Sequence, residues 1–60
     1  MLRWEVVFNF FNVDDRKIAE RTFEIYAATK IAAEKIGWEL ASLEAGQIKD
    51  ADWFYFMEVK

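Results

Sequence analysis

Two neighbouring stretches of this sequence alternate with a period of two, and this alternation constrains the fold more than any other feature. In residues 2–11, one face of the alternating pattern collects the large apolar residues Trp4, Val6, Phe8 and Phe10. Residues 17–27 alternate in the same way around Phe23 and Ile25. A period of two is that of a β-strand. The intervening Asn-Val-Asp-Asp-Arg segment is rich in turn-forming residues, so the two strands are predicted to form an antiparallel hairpin.

A helix is predicted from Lys30 to Ala45, where Ala, Glu, Lys and Leu dominate. Thr29 is its candidate N-cap, and Gly46 is a candidate stop after its last turn. Gly37 borders the apolar stripe of this helix, and we expect it to let the helix approach a bulky ring of the first strand such as Trp4 or Phe8. The stripe predicted to lie on the sheet consists of Ala32, Ala33, Ile36, Leu40 and Leu43.

A third strand is predicted from Trp53 to Lys60, which is rich in aromatic residues. A strand–helix–strand connection is normally a right-handed crossover. The first strand is the most apolar and suits the centre of the sheet, so we expect the strand order 2-1-3. The prediction is therefore an α+β fold, a single ββαβ domain over residues 1–60, with a three-stranded antiparallel sheet and one helix packed on one face.

The core between helix and sheet is expected to contain ten residues. They are Trp4, Val6, Phe8, Phe23, Ile25, Ile36, Leu40, Leu43, Tyr55 and Met57. This assignment places Phe54 and Phe56 on the opposite, open side of the sheet.

The composition excludes most catalytic chemistry. The sequence has no Cys and no His, and it has only two glycines. Thiolate and imidazole chemistry, the usual zinc ligands and phosphate-binding glycine loops are therefore missing. We expect no enzymatic activity, no cofactor and no metal site. Asp14, Asp15, Asp50 and Asp52 are expected to converge near the end of the helix, but their spacing matches no calcium-binding loop.

Charge and hydropathy limit the classes of partner that this chain is expected to bind. The net charge is −3, so carboxylates outweigh the Lys and Arg side chains that neutralise phosphates, and nucleic acid is not an expected partner. The longest uncharged stretch, residues 6–13, is too short to span a bilayer, so no membrane association is expected. The amino terminus enters a strand pattern without the apolar segment of a signal peptide, so we expect a cytoplasmic protein.

The sequence has more large aromatic residues than one helix can cover. Phe, Trp and Tyr account for eleven of the sixty residues, and clustered exposed apolar groups usually mark interfaces. Two docking surfaces are predicted. The first is the open face of the sheet, with Val7, Phe11, Ile18, Phe54 and Phe56. The second is the back of the helix, where Ile31 and Trp38 recur with the seven-residue spacing of a coiled coil.

These features predict a small, non-catalytic protein-interaction module that we expect to be a homodimer. Its expected partners are a second copy of itself, a larger protein, or both. An alternative is a single-stranded nucleic-acid binder that stacks bases on Phe11, Phe54 and Phe56. Another is an acidic decoy that occupies a nucleic-acid-binding protein. A compact chain without catalytic residues is typical of viral or plasmid accessory proteins.

Overall fold

A computed structural model describes all sixty residues of the chain. The elements are β1 (Leu2–Phe11), β2 (Lys17–Ala27), α1 (Lys30–Ala45) and β3 (Trp53–Val59). The sheet has the order β2-β1-β3, and β1 is antiparallel to both neighbours. The predicted fold class and strand order are confirmed, and β3 ends one residue before the predicted boundary.

The turn between β1 and β2 is held by the side chain of Asn12 together with backbone hydrogen bonds from Asn12 to Arg16 and from Asp15 to Asn12. The Oδ1 atom of Asn12 accepts hydrogen bonds from the backbone N–H groups of Asp14 and Arg16, both at 3.0 Å. Asp15 has a φ of 60°, a left-handed conformation that aspartate tolerates better than most residues. The turn therefore uses the residues and the chemistry predicted from the sequence.

The two ends of α1 differ from each other. The hydroxyl of Thr29 accepts a first-turn N–H at 3.2 Å, which confirms the predicted N-cap. Gly46 ends the helix with a right-handed φ of −70°, so the conformational freedom of glycine is not used there. The chain continues in a turn in which Gln47 donates to the Glu44 carbonyl at 2.8 Å. The left-handed residue of this connection is Asp50, with a φ of 67°.

The helix lies directly over β1 because the centre of its buried face consists of small residues. Ala33, Gly37 and Ala41 are its buried positions. A Cβ atom at Gly37 would lie 2.7 Å from Val6 Cγ1 and 3.1 Å from Phe8 Cε1, well inside normal contact. The predicted close approach is confirmed for Phe8, although Gly37 lies at the centre of the buried stripe rather than at its border.

The larger residues of α1 flank this line of small ones. Trp38 packs beside Phe8 and Phe54, with ring centroids 5.0 and 5.6 Å apart. Ile36 and Leu43 are exposed, so the predicted helix face was wrong for these two residues. Small side chains shorten the distance between helix and sheet, and the buried face is therefore centred on them.

The orientation of β3 also differs from the prediction. Phe54 and Phe56 lie opposite buried phenylalanines of β1 and therefore point towards the helix. Tyr55 and Met57 were predicted to be buried, but they are 60% and 51% exposed. Met57 is the extra residue of a bulge, because Glu58 pairs with β1 immediately after the bulge and Phe56 immediately before it.

The core is smaller than predicted. Its buried apolar residues are Val6, Phe8, Phe10, Ile25, Ala27, Ala33 and Ala41. The predicted core residues that pack against it while partly exposed are Trp4, Phe23 and Leu40. The predicted core residues that are exposed are Ile36, Leu43, Tyr55 and Met57.

Candidate interaction surface

The open face of the sheet, defined as the side turned away from α1, is organised in rows that cross the strands. The register places these rows in the order Tyr26–Arg3, Glu24–Glu5, Thr22–Val7–Glu58, Glu20–Asn9–Tyr55 and Lys17–Phe11–Trp53. The first two rows are dominated by charged residues, and the last row contains the aromatic residues Phe11 and Trp53.

The charged end of the open face is a solvated hydrogen-bond network. Glu24 accepts from the hydroxyl of Tyr26 at 2.6 Å and from Arg3 Nη2 at 3.3 Å. The hydrogen bond from Tyr26, followed by that from Arg3, lowers the pKa of Glu24. The same bond to Glu24 raises the pKa of Tyr26. Exposed pairs of this kind contribute little to stability, and they keep this end of the face hydrated.

The aromatic end of the open face is prearranged. Phe11 and Trp53 stack, with ring centroids 4.1 Å apart and planes 10° from parallel. The indole Nε1 of Trp53 donates to Asp15 Oδ1 at 3.1 Å, which fixes the indole orientation. Tyr55 continues this surface along β3 with most of its side chain exposed. Rings that are already ordered lose little conformational entropy on binding.

Asn9 lies in the middle of the open face and is only 7% exposed. Its Oδ1 atom is buried and has no hydrogen-bond partner. A buried acceptor without a donor costs roughly 1–3 kcal/mol. The alternation of β1 predicts that Asn9 lies on the open face. It does not predict that Asn9 is buried there, because burial depends on which residues of β2 and β3 lie beside it. The one sequence signal for its burial is that Asn9 is a single amide within an apolar part of β1.

The structure brings together only part of the predicted open-face surface. Val7 and Phe11 lie on this face, but Val7 is buried and presents little contact area. Ile18 is the extra residue of a bulge in β2 and is exposed. Phe54 and Phe56 point to the other side of the sheet, as described above. The residues that sequence reasoning missed on this face are Trp53 and Tyr55.

The predicted surface on the back of the helix is also displaced. Trp38 contacts Phe54 and therefore lies on the flank of α1 that overhangs β3. Ile31 precedes it by two helical turns on the same flank and is 74% exposed. The seven-residue spacing therefore marks a line of apolar residues beside β3 rather than the face opposite the sheet.

The backbone of the sheet has two free edges, on β2 and on β3. Glu5 and Lys60 exchange both backbone hydrogen bonds, at 3.1 and 2.8 Å. Antiparallel strands alternate, so odd-numbered residues of β1 direct their N–H and C=O groups to β3 and even-numbered ones to β2. It follows from the register that the backbone groups of Phe54 and Phe56 point outward from β3. Those pointing outward from β2 belong to Glu20, Thr22, Glu24 and Tyr26.

The four aspartates predicted to converge form no cluster that could hold a metal ion. Asp15 instead accepts the indole hydrogen bond of Trp53. The surface contains no detectable pocket. The single helix has neither the length nor the apolar character needed to cross a membrane.

Comparisons with protein-family models, with curated proteins and with solved structures each returned no significant match.

Proposed function

We propose that this chain is a small, non-catalytic protein-interaction module that forms a homodimer through the β3 side of the molecule. The observation that carries this proposal is the placement of the exposed aromatic rings. Three of the four, Trp38, Trp53 and Tyr55, surround β3. The fourth, Tyr26, is bound to Glu24 at the charged end of the open face.

The β2 side of the molecule supports the same proposal, because ion pairs rather than exposed aromatic rings dominate there. Ion pairs dominate around β2, where Arg21 bonds Glu44 at 2.9 Å and Lys17 bonds Glu20 at 2.8 Å. The only ion pair involving β3 joins Glu58 to Lys60 at its end. Ile36 and Leu43 are exposed away from β3, but isolated aliphatic exposure is common on protein surfaces. Clustered aromatic exposure is typical of an interface.

A second copy of the chain is the partner that needs no further assumption. Most soluble oligomers are symmetric dimers in which the same patch occupies both sides of the interface. A domain of about this size also buries only about 60% of the surface of its unfolded chain, so it gains much from additional burial.

Nucleic-acid binding has less support than protein binding. The proposed stacking platform required Phe54 and Phe56, which face the helix. Phe11 already stacks on Trp53, and the carboxylate of Asp15 beside that indole would repel a phosphate backbone. The acidic-decoy alternative is weakened because several carboxylates are paired with Arg or Lys on the same surface.

The test is the solution mass of the protein as a function of concentration, measured by sedimentation. We expect a reversible dimer, and we expect Tyr55→Lys to weaken it at least about tenfold because the two copies would bring like charges to the same interface. Thr22→Lys is the matched control, since Thr22 is an exposed residue on the other edge strand, and it should leave the mass unchanged. A wild-type chain that remains monomeric at about 1 mM, where even a weak complex would form, would overturn the proposal.

A further inference from the structure

We propose that the second copy binds along the free edge of β3, so that two β3 strands pair antiparallel across a two-fold axis and form one six-stranded sheet. This inference rests on the proposed homodimer and specifies its geometry. The axis would be perpendicular to the sheet, so that both helices lie on the same side.

The edge of β3 is chemically open to pairing. Its sequence, Trp-Phe-Tyr-Phe-Met-Glu-Val, contains one charged residue and no proline. The outward backbone groups of Phe54 and Phe56 receive no side-chain hydrogen bond. An apolar edge strand with unpaired N–H and C=O groups is a template for another strand.

The edge of β2 is blocked by its own side chains. The guanidinium of Arg21 donates through Nη1 to the backbone carbonyl of Glu20 at 2.9 Å, and this carbonyl points outward. The same guanidinium donates through Nε to Glu44 at 2.9 Å, which ties it to the helix. Lys17 and Glu20 place a further ion pair along this strand. Charged side chains of this kind are a common protection of edge strands.

The outward backbone groups of β3 are complementary to those of a second β3 strand. Antiparallel pairing exchanges hydrogen bonds between opposite residues whose N–H and C=O groups both face the other strand. A register centred on Tyr55 places Phe54 of one copy opposite Phe56 of the second copy, and both residues precede the bulge at Met57. The same register places the two Tyr55 side chains next to each other on the open face.

The same geometry covers the flank of α1. The helix lies over β1, where Gly37 contacts Val6 and Phe8. Two β1 strands would be three strand spacings apart, or about 14 Å. Helices with side chains are about 10–12 Å wide, so a narrow space would remain between the two helices. Trp38 and Ile31 border this space and would fill it from both copies.

Face-to-face stacking of two open faces is the competing arrangement. It would cover Trp53 and Tyr55, but it would leave the outward backbone groups of β3 and the exposed Ile31 uncovered. Edge pairing satisfies the backbone groups and covers the helix flank in one contact, and it is therefore the arrangement that we infer.

The deciding experiment removes one outward backbone donor without changing any side chain. A chain of sixty residues is accessible to chemical synthesis, so Phe56 can be replaced by N-methylphenylalanine. The matched control carries N-methylthreonine at position 22, which removes an outward donor of β2. Circular dichroism verifies that both variants fold. We expect the Phe56 variant to be monomeric at concentrations at which the wild type and the Thr22 variant are dimeric.

The other outcomes are equally decisive. A folded Phe56 variant that dimerises as well as the wild type would overturn the edge pairing while the homodimer itself stands. A dimer lost only with the Thr22 variant would assign the interface to β2 and would also overturn the inference. A monomeric wild type would overturn both this inference and the proposed function.

Discussion

The two edge strands of this protein share a sheet, a neighbour and an orientation, yet they present opposite chemistry. Both β2 and β3 pair antiparallel with β1, and each leaves alternate backbone groups unpaired on its outer side. On β2 a guanidinium and an ion pair cover part of this backbone. On β3 no side chain does so. Exposure of an edge therefore does not by itself identify an interface, because the neighbouring side chains decide whether another strand can approach.

The means of protection available to this chain are limited. Proline is a common protection of an edge strand, and this sequence has none. Bulges are a second means, but each edge strand has one, so they do not distinguish the two edges. Charged side chains do distinguish them, because they are concentrated on β2. The absence of such protection along the apolar β3 is the physical basis of the proposed dimer.

The largest expected effect on stability is at Phe8, because this residue packs against both edge strands. The ring of Phe8 packs against Phe23 of β2 at 6.1 Å and against Phe56 of β3 at 5.8 Å. We expect Phe8→Ala to cost about 3–5 kcal/mol, which is comparable to the whole stability of a small domain. Chemical denaturation measures this loss. Leu43→Ala is the control, because Leu43 is exposed and should change stability by less than about 0.5 kcal/mol. An equal loss of stability with Leu43→Ala would mean that Leu43 is buried, and the face of α1 described as packing on the sheet would then be wrong.

The next largest effect on stability is expected at Gly37, where the helix contacts β1. This contact lies between the two edge strands and belongs to neither. Gly37→Ala gains about 1 kcal/mol of helix propensity, but its methyl group would overlap Val6. Overpacking costs typically about 1–3 kcal/mol, so we expect a net loss of thermal stability. Gly46→Ala is the matched control, with only an ordinary contact at 3.4 Å. A Gly37→Ala protein that melts higher than the wild type would refute the close approach.

A smaller effect on stability is expected at Arg21. Replacing this residue directly tests whether its side chain protects the edge of β2. Arg21→Met keeps an unbranched side chain and removes the groups that bond Glu20 and Glu44. We expect a stability loss of at most about 1 kcal/mol. With the β2 edge uncovered, sedimentation should detect species larger than a dimer. Unchanged assembly of this variant would show that Arg21 does not protect the edge.

The smallest effect concerns titration at the charged end of the open face. The pKa of Glu24 is lowered first by Tyr26 and then by Arg3, so these contacts stabilise the protein above the ordinary pKa. That contribution is lost as the pH falls through the lowered value. Tyr26→Phe should raise the pKa of Glu24, as measured by carboxyl chemical shifts. Glu20, whose pKa is lowered by Lys17, is the internal control and should titrate as before.

The sequence predicted the elements well because their boundaries have clear chemical causes. The Asn12 turn and the Thr29 cap use side chains that bond their own backbone, and such local interactions can be recognised without the tertiary structure. The strand order followed from the apolar character of β1. These features depend on neighbours in sequence.

The orientation of β3 and the rotation of α1 could not be predicted in the same way. Trp53 and Tyr55 are aromatic, as are Phe54 and Phe56, so alternation alone does not show which pair faces the helix. In α1 the size of the side chains misled the prediction, since Ile36 and Leu43 suggested a buried face that belongs to smaller residues. Both errors concern packing across the sheet, which the period of a single segment does not specify.

Amide hydrogen exchange as a function of protein concentration tests the central claim most directly. The outward amides of Phe54 and Phe56 on β3 can be compared with those of Thr22 and Glu24 on β2 in one sample. We expect protection at Phe54 and Phe56 to rise with concentration as the two β3 strands pair, while Thr22 and Glu24 continue to exchange rapidly. Exchange at Phe54 and Phe56 that does not change with concentration, or protection that rises on β2 instead, would contradict the account.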